Sequence, residues 1–105
     1  MKVVLCNCPP DKAEEIAKEL VESRVAACVN ILPHVKSFYH WDGKLCCDEE
    51  KTLLIKIRGH DFRVLQQKIL QLHPNDVPEI VELNVSNVNA EYLKWLYAST
   101  GGEDA

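Results

Sequence analysis

Two amphipathic helical patterns, each lying between extended apolar segments, predict an α+β protein with the element order β-α-β-β-α-β. Two long extended segments in the middle of the chain and a third helical pattern near its end complete this order. The order is that of the ferredoxin-like sandwich, in which helices cover one face of an antiparallel sheet. Here it carries an additional C-terminal helix and a long projecting β-hairpin. Because 105 residues support one hydrophobic core, we expect a single domain over residues 1–105.

The first strand and the first helix follow from the opening residues. Residues 2–6 are a short apolar segment, which predicts a buried strand. The next residues include Pro9 and Pro10, and prolines suit the first turn of a helix because that turn does not use their missing N–H group. Apolar residues then recur at helical spacing among charged residues, which predicts an amphipathic helix over residues 10–23.

The two middle segments predict a hairpin that is too long for a compact domain. Residues 25–39 and 45–58 are rich in β-branched and aromatic residues, and the turn signal Asp42-Gly43 lies between them. An arm of about 15 residues would reach about 50 Å at about 3.3 Å per residue. The radius of gyration of a domain of this size is only about 13 Å. We therefore expect the hairpin to bulge or break at Pro33, which cannot donate to a strand ladder, or to project and be covered by another subunit.

The second half of the chain repeats the helix-then-strand order. Residues 60–72 carry apolar side chains on one face and predict a second helix. Pro78 precedes an apolar segment that predicts the last strand, and Asn89 is a candidate cap for the last helix. We expect the tail, residues 101–105, to be frayed. The aromatic side chains of the last helix are predicted to pack between that helix and the sheet; they are Tyr92, Trp95 and Tyr97.

Composition excludes several classes of function. The net charge is -4 and the basic residues are scattered, so we expect no nucleic-acid partner. No apolar segment approaches the roughly 18 residues of a membrane span, and the N-terminal apolar segment is too short for a signal peptide, so we expect no membrane partner and a cytoplasmic location. Five cysteines, an odd number, are typical of a reducing compartment. The absence of a C-x-x-C motif argues against the common structural zinc sites.

Three segments together resemble the CutA family of divalent-cation tolerance proteins. They read SRVAACVNILPHVKSFYHWDGKL at residues 23–45, LHPNDVPEI at residues 72–80 and NAEYLKWL at residues 89–96. They occur in the family's order, separated by the expected elements, and the resemblance covers essentially residues 2–99. It implies the ferredoxin-like fold and a tight homotrimer whose sheets join through long hairpins.

The resemblance also implies a function. Family members are linked to tolerance of copper and other divalent cations, which implies a cytosolic homotrimer that binds copper or another divalent cation weakly. The ligands that it implies are Cys6 and His73. Some members have a second histidine directly before the latter, and Leu72 occupies that position here. The alternative is a trimeric signalling or scaffold protein similar to the PII proteins, with a small ligand in the cleft between subunits.

His73, Cys6 and Cys8 each have a structural interpretation beside the metal-binding one. Imidazole and thiolate suit copper and zinc. However, His73 precedes Pro74, and a residue before proline avoids the helical region, so His73 also marks the end of a helix. Cys6 and Cys8 share one face if the first strand extends that far. Free cysteine in a core strand is commonly just buried, and we expect Cys8, beside the prolines, to be the more exposed of the two.

A further candidate site lies near the hairpin turn. Tyr39, Trp41, Lys44 and Glu50 could line an inter-subunit cleft that holds a small anion or another ligand. The alternative is interface packing, since aromatic residues are enriched in interface cores. The sequence has no nucleophile elbow, phosphate-binding loop or H-E-x-x-H motif, so we predict no catalytic residue and no enzyme.

Overall fold

The computed structural model describes residues 1–101, so the predicted frayed tail lies outside the described residues except for Gly101. Residues 1–101 contain four strands and three α-helices, with a 3₁₀ turn at Pro10–Lys12. Within this part of the chain, no helix is long and apolar enough to cross a membrane. The elements in chain order are β1 (Lys2–Cys8), α1 (Ala13–Glu22), β2 (Cys28–Trp41), β3 (Lys44–Ile57), α2 (Phe62–Leu72), β4 (Val81–Asn84) and α3 (Ala90–Ser99).

The four strands form one antiparallel sheet in the order β2-β3-β1-β4. β1 lies between β3 and β4, but it pairs with β4 only from Lys2 to Leu5. The rest of β1 therefore has a free edge on that side. The predicted ferredoxin-like α+β fold, with its additional C-terminal helix, is confirmed.

The core lies between one face of the sheet and helices α1 and α2. Alternate residues of each central strand point to this face, as the period of two in a strand requires. The helices contribute apolar residues at helical spacing. The largest fully buried side chains of this core are Val4, Leu53, Ile55, Ile57, Ile16, Leu20, Leu65 and Ile69.

The long hairpin contains a bulge and projects, as its length predicts. β2 and β3 pair along their whole length except for a register shift between Leu32 and Val35, which includes Pro33. His34, in this bulge, adopts a left-handed backbone with φ of 61°. At the tip, Asp42 and Gly43 have φ of 52° and 74°, the positive values of a type I′ hairpin turn. The described residues extend 45 Å along their longest axis and only 27 and 21 Å along the others.

Several predicted boundaries were wrong. β1 continues two residues further than predicted, to Cys8. Residues 25–27 are not in a strand, because α1 ends in a turn at Arg24, whose φ is 64°, and the chain needs these residues to return to the sheet. β4 starts at Val81 rather than at Pro78. Asn89 precedes α3 as predicted, but its side chain makes no capping hydrogen bond.

The predicted packing of the α3 aromatic residues in the core was also wrong. Trp95 and Tyr97 are 46% and 41% exposed, and Tyr92 is half-buried. The buried side chain in the middle of this helix is Leu96. The C-terminal end of α3 is fixed instead by polar contacts, since Arg58 donates hydrogen bonds to the carbonyl groups of Tyr97 and Thr100 and to the Thr100 hydroxyl.

Candidate functional site

His73 ends α2, as its position before proline predicts. Helix α2 stops at Leu72, and His73 has an extended backbone with φ of -81° and ψ of 132°. Its backbone N–H still donates to the carbonyl of Ile69 at 2.7 Å, which satisfies the last helical turn. The chain therefore leaves the helix at His73, and the imidazole ring of this residue points back toward β1.

Both ring nitrogens of His73 have hydrogen-bond partners. The backbone N–H of Asn75 donates to Nδ1 at 3.1 Å, so Nδ1 is unprotonated. In a neutral ring the proton then sits on Nε2, which donates to the backbone carbonyl of Asn7 at 2.8 Å. The side chain is buried, with 7% exposure. Asn7 lies beyond the end of the β1–β4 pairing, so β4 offers no donor to its carbonyl. His73 supplies that donor instead.

Cys6, the other implied metal ligand, contacts the same atom as His73, the carbonyl oxygen of Asn7. Its Sγ lies 3.9 Å from the carbonyl oxygen of Asn7, the oxygen to which Nε2 of His73 donates. The fold thus places a thiol and an imidazole, from positions 6 and 73, against the same backbone oxygen. In the described residues, no group of three or more histidine, cysteine, aspartate or glutamate side chains is arranged to hold a metal ion.

Cys6 and Cys8 are both fully buried, so the expectation that Cys8 is the more exposed was wrong. β1 continues to Cys8, and the alternation of side chains places it on the core face with Cys6 and Val4. Burial raises the pKa of Cys6 to about 12, helped by charge repulsion from neighbouring Cys8 and then from Glu79 and Glu50. Burial also raises the pKa of Cys8 to about 11. At neutral pH both groups are thiols rather than the thiolates that bind soft metals.

A cavity of about 720 Å³ lies between the hairpin and the loop that follows His73. Tyr39, Trp41 and Glu50, three of the four residues predicted for a cleft, line it. Lys44 pairs with Trp41 next to the hairpin turn and is not among the lining residues. Residues 74–77 form part of the opposite wall.

Asn7 connects the cavity to the Cys6–His73 pair. Its carbonyl oxygen holds His73, and its side chain lines the cavity. The side-chain oxygen accepts a hydrogen bond from Thr52 at 2.6 Å, and the side-chain nitrogen donates to Glu79 at 3.4 Å. Asn7 is thus fixed by Thr52 of β3 and by Glu79. It lies between the Cys6–His73 pair and the cavity.

Sequence reasoning missed Asn7 and three of the carboxylates that line the cavity. Asp48 lies two residues before Glu50 on β3, so strand alternation could have placed both on one face. Tyr39 donates a hydrogen bond to Asp48, and this bond raises the pKa of the Tyr39 hydroxyl to about 12. Asp76 and Glu79 belong to the LHPNDVPEI segment, whose acidic residues gave the only sequence signal for them.

Comparison with known proteins gives one consistent result. Residues 2–99 match the family described as CutA1 divalent ion tolerance protein. A divalent-cation tolerance protein CutA of Thermus thermophilus is 48% identical over 101 residues, which are 95% of this chain and 98% of the relative. A solved structure from the same organism has a TM-score of 0.91 and covers 96% of this chain and 100% of its own. The structure of a PII-like protein CutA from Nostoc sp. PCC 7120, 40% identical, also has a TM-score of 0.91, with 96% and 98% coverage.

The burial of Cys6 and Cys8 predicts a slow thiol reaction. In a Cys28→Ser/Cys46→Ser/Cys47→Ser variant, the two remaining thiols should react with DTNB at pH 8 at least about a hundredfold more slowly than in guanidinium, because the thiolate fraction is small. The rate should rise as the pH is raised toward 11, where the thiolate forms. Equal rates in the folded and the unfolded variant would contradict the burial of these side chains.

Proposed function

This chain belongs to the CutA1 divalent ion tolerance protein family, and on that premise we propose that it is a cytoplasmic homotrimer that binds metal ions weakly in divalent-cation tolerance. The observation that carries the metal proposal is the meeting of Cys6 and His73 at the carbonyl oxygen of Asn7. A thiolate and an imidazole together suit Cu(I) and Zn(II) better than calcium or magnesium.

The same geometry supports weak rather than tight binding. To bind an ion, Cys6 must lose a proton that burial holds with a pKa of about 12. His73 must release one of its two hydrogen bonds, either from Asn75 or to Asn7. Two protein ligands are also fewer than the four of a structural zinc site. Each of these costs is subtracted from the free energy of forming the metal–ligand bonds.

The uncovered apolar surface supports the homotrimer. The sheet face opposite α1 and α2 exposes Leu32, Val81 and Leu83, each more than 40% accessible. On the projecting hairpin, Phe38 and Trp41 are 68% and 52% exposed. Apolar surface of this kind marks a site of association, and a long edge strand such as β2 pairs readily with another chain. Other copies of the chain, arranged in a closed ring of three, would cover the apolar surface and pair with the edge strand.

We propose that the role is binding rather than catalysis. The sequence carries none of the nucleophile, phosphate-loop or metalloprotease motifs that would supply a reaction. The buried thiols are held in the protonated form, which is the unreactive one. The groups that meet at Asn7 are donors to an ion, and their arrangement has no general base aimed at a nucleophile.

A calorimetric titration with Cu(I) and with Zn(II) under reducing conditions tests the metal proposal. The wild type should bind about one ion per chain, and a Cys6→Ser/His73→Ala variant should lose this binding because it removes both donors. A Cys47→Ser/His60→Ala variant is the matched control, since it removes an exposed cysteine and an exposed histidine that are remote from Asn7. Binding that survives in the first variant, or that is lost equally in both, would refute the Cys6–His73 site.

Light scattering at low micromolar concentration tests the homotrimer. The wild type should have three times the 11.9 kDa mass of the chain. Trp41→Ala should shift the measured mass toward smaller species. The secondary structure seen by circular dichroism should stay unchanged, because the indole lies on the projecting hairpin and outside the core. Leu70→Ala, which truncates an equally exposed side chain on α2, should remain trimeric. A monomeric wild type would overturn the proposal.

A further inference from the structure

Cys8 is a buried thiol that the Cys6–His73 pair does not use. It lies two residues after Cys6 on β1, so both side chains point to the core face of the sheet. Both are fully buried, and both are free thiols. Burial and then repulsion from Cys8 raise the pKa of Cys6, which shows that the two sulfur atoms are close to each other. The core thus contains two neighbouring sulfur donors.

The geometry of β1 keeps these two thiols from forming a disulfide. Residues two apart on a strand are separated by about 6.6 Å, at about 3.3 Å per residue. A disulfide needs Cβ atoms only about 3.8 Å apart. β1 cannot contract to that distance without breaking its pairing with β3, which includes every residue from Lys2 to Cys8. Both sulfur atoms therefore stay reduced and available as ligands.

The same spacing suits one ion held between the two sulfur atoms. A zinc–thiolate bond is about 2.3 Å long, and two collinear bonds of about this length span about 4.6 Å. Rotation of the two side chains toward each other closes the difference of about 2 Å from the strand spacing. Cu(I), which thiolates select, is stable with two ligands in a line, whereas structural Zn(II) takes four. The spacing therefore favours Cu(I).

Lys51 offsets the charge of such a site. Cu(I) with two thiolates carries one net negative charge, which an apolar core disfavours. Lys51 is the β3 residue paired with Cys8, so its half-buried side chain lies on the same face of the sheet. Glu50, whose negative charge also acts on Cys8, is on the opposite face of β3 and lines the cavity. The residue opposite Cys8 thus supplies the one positive charge that a Cu(I) dithiolate needs.

We propose that Cys6 and Cys8 together bind one Cu(I) ion, and that the two thiols release their protons to solvent as they become thiolates. The proposal rests on the proposed function, because it takes Cys6 as a metal ligand, and it adds a second pair that shares this residue. Both hydrogen bonds of His73 stay intact when Cu(I) is bound in this way. Because Cys6 belongs to both pairs, Cu(I) between the thiols and Zn(II) at Cys6 and His73 exclude each other.

The end of β1 offers a route to this pair. Cys8 is the last residue of the strand, and the 3₁₀ turn Pro10–Lys12 that follows buries none of its own residues. Opening this turn exposes little apolar surface and therefore costs little free energy.

Cu(I) titration in competition with a chromogenic chelator, under anaerobic reducing conditions, tests the proposal. The parent protein is the Cys28→Ser/Cys46→Ser/Cys47→Ser variant, whose two remaining thiols are Cys6 and Cys8. It should bind one Cu(I) per chain, and X-ray absorption at the copper edge should show two sulfur ligands and no nitrogen ligand. Adding either Cys8→Ser or Cys8→Ala should weaken the binding at least about a hundredfold, because one of the two thiolates is lost.

Two further variants of the same parent distinguish the loss of a donor from damage to the core. Val4→Ala truncates another fully buried side chain on the same face of β1, and it should keep the Cu(I) affinity of the parent because it removes no donor. His73→Gln should also keep Cu(I) bound, while it loses Zn(II). Far-UV circular dichroism of each variant shows whether the sheet still forms.

Zn(II) titration of these variants separates the failure of this proposal from the failure of the proposed function. Zn(II) binding should survive Cys8→Ser, since Zn(II) uses Cys6 and His73. Cu(I) binding that survives Cys8→Ser but is lost in His73→Gln would overturn the Cys6–Cys8 site and support the Cys6–His73 pair. No Cu(I) binding by the parent, or equal losses in Cys8→Ser and Val4→Ala, would also overturn the site. Zn(II) binding that is unaffected by His73→Gln would count against the Cys6–His73 pair alone.

Discussion

The hydrogen bond from His73 to the carbonyl oxygen of Asn7 is the constraint on which the site depends. β1 extends past its last pair with β4, so a backbone carbonyl on its free edge needs a donor from elsewhere. His73 supplies that donor because α2 ends directly before it. The bond fixes where the following loop begins, and this loop is one wall of the cavity. The same carbonyl oxygen lies 3.9 Å from Sγ of Cys6.

The features that the sequence predicts correctly are those that depend on the local pattern of apolar and turn-forming residues. Alternation and helical spacing are enough for the sheet, the two core helices and the long hairpin, and Pro33 and Asp42-Gly43 locate its bulge and its turn. The meeting of Asn7 and His73, which are 66 residues apart, depends on where the β1–β4 pairing stops, and no local pattern contains that information. The burial of Cys8 was mispredicted for the related reason that prolines after a strand do not show where the strand ends.

Two groups of side chains with different chemistry lie on either side of Asn7. On the core side are a thiol and an imidazole, which suit soft ions, and in the cavity are carboxylates and aromatic rings. The carboxylates also act on the thiol, because Glu79 and Glu50 help to keep Cys6 protonated. A metal ion bound by His73 would cost one of its two hydrogen bonds, either the one to Asn7 or the one from Asn75.

The protonation state of the His73 ring tests this account most directly. A long-range ¹H–¹⁵N correlation spectrum of the metal-free protein, assigned with a His73→Gln variant, distinguishes the two neutral tautomers. We predict a ring protonated on Nε2, with an unprotonated Nδ1 that accepts the Asn75 N–H. A proton on Nδ1 would contradict the account, because Nε2 could then no longer donate to Asn7, and the link between the metal pair and the cavity would be lost.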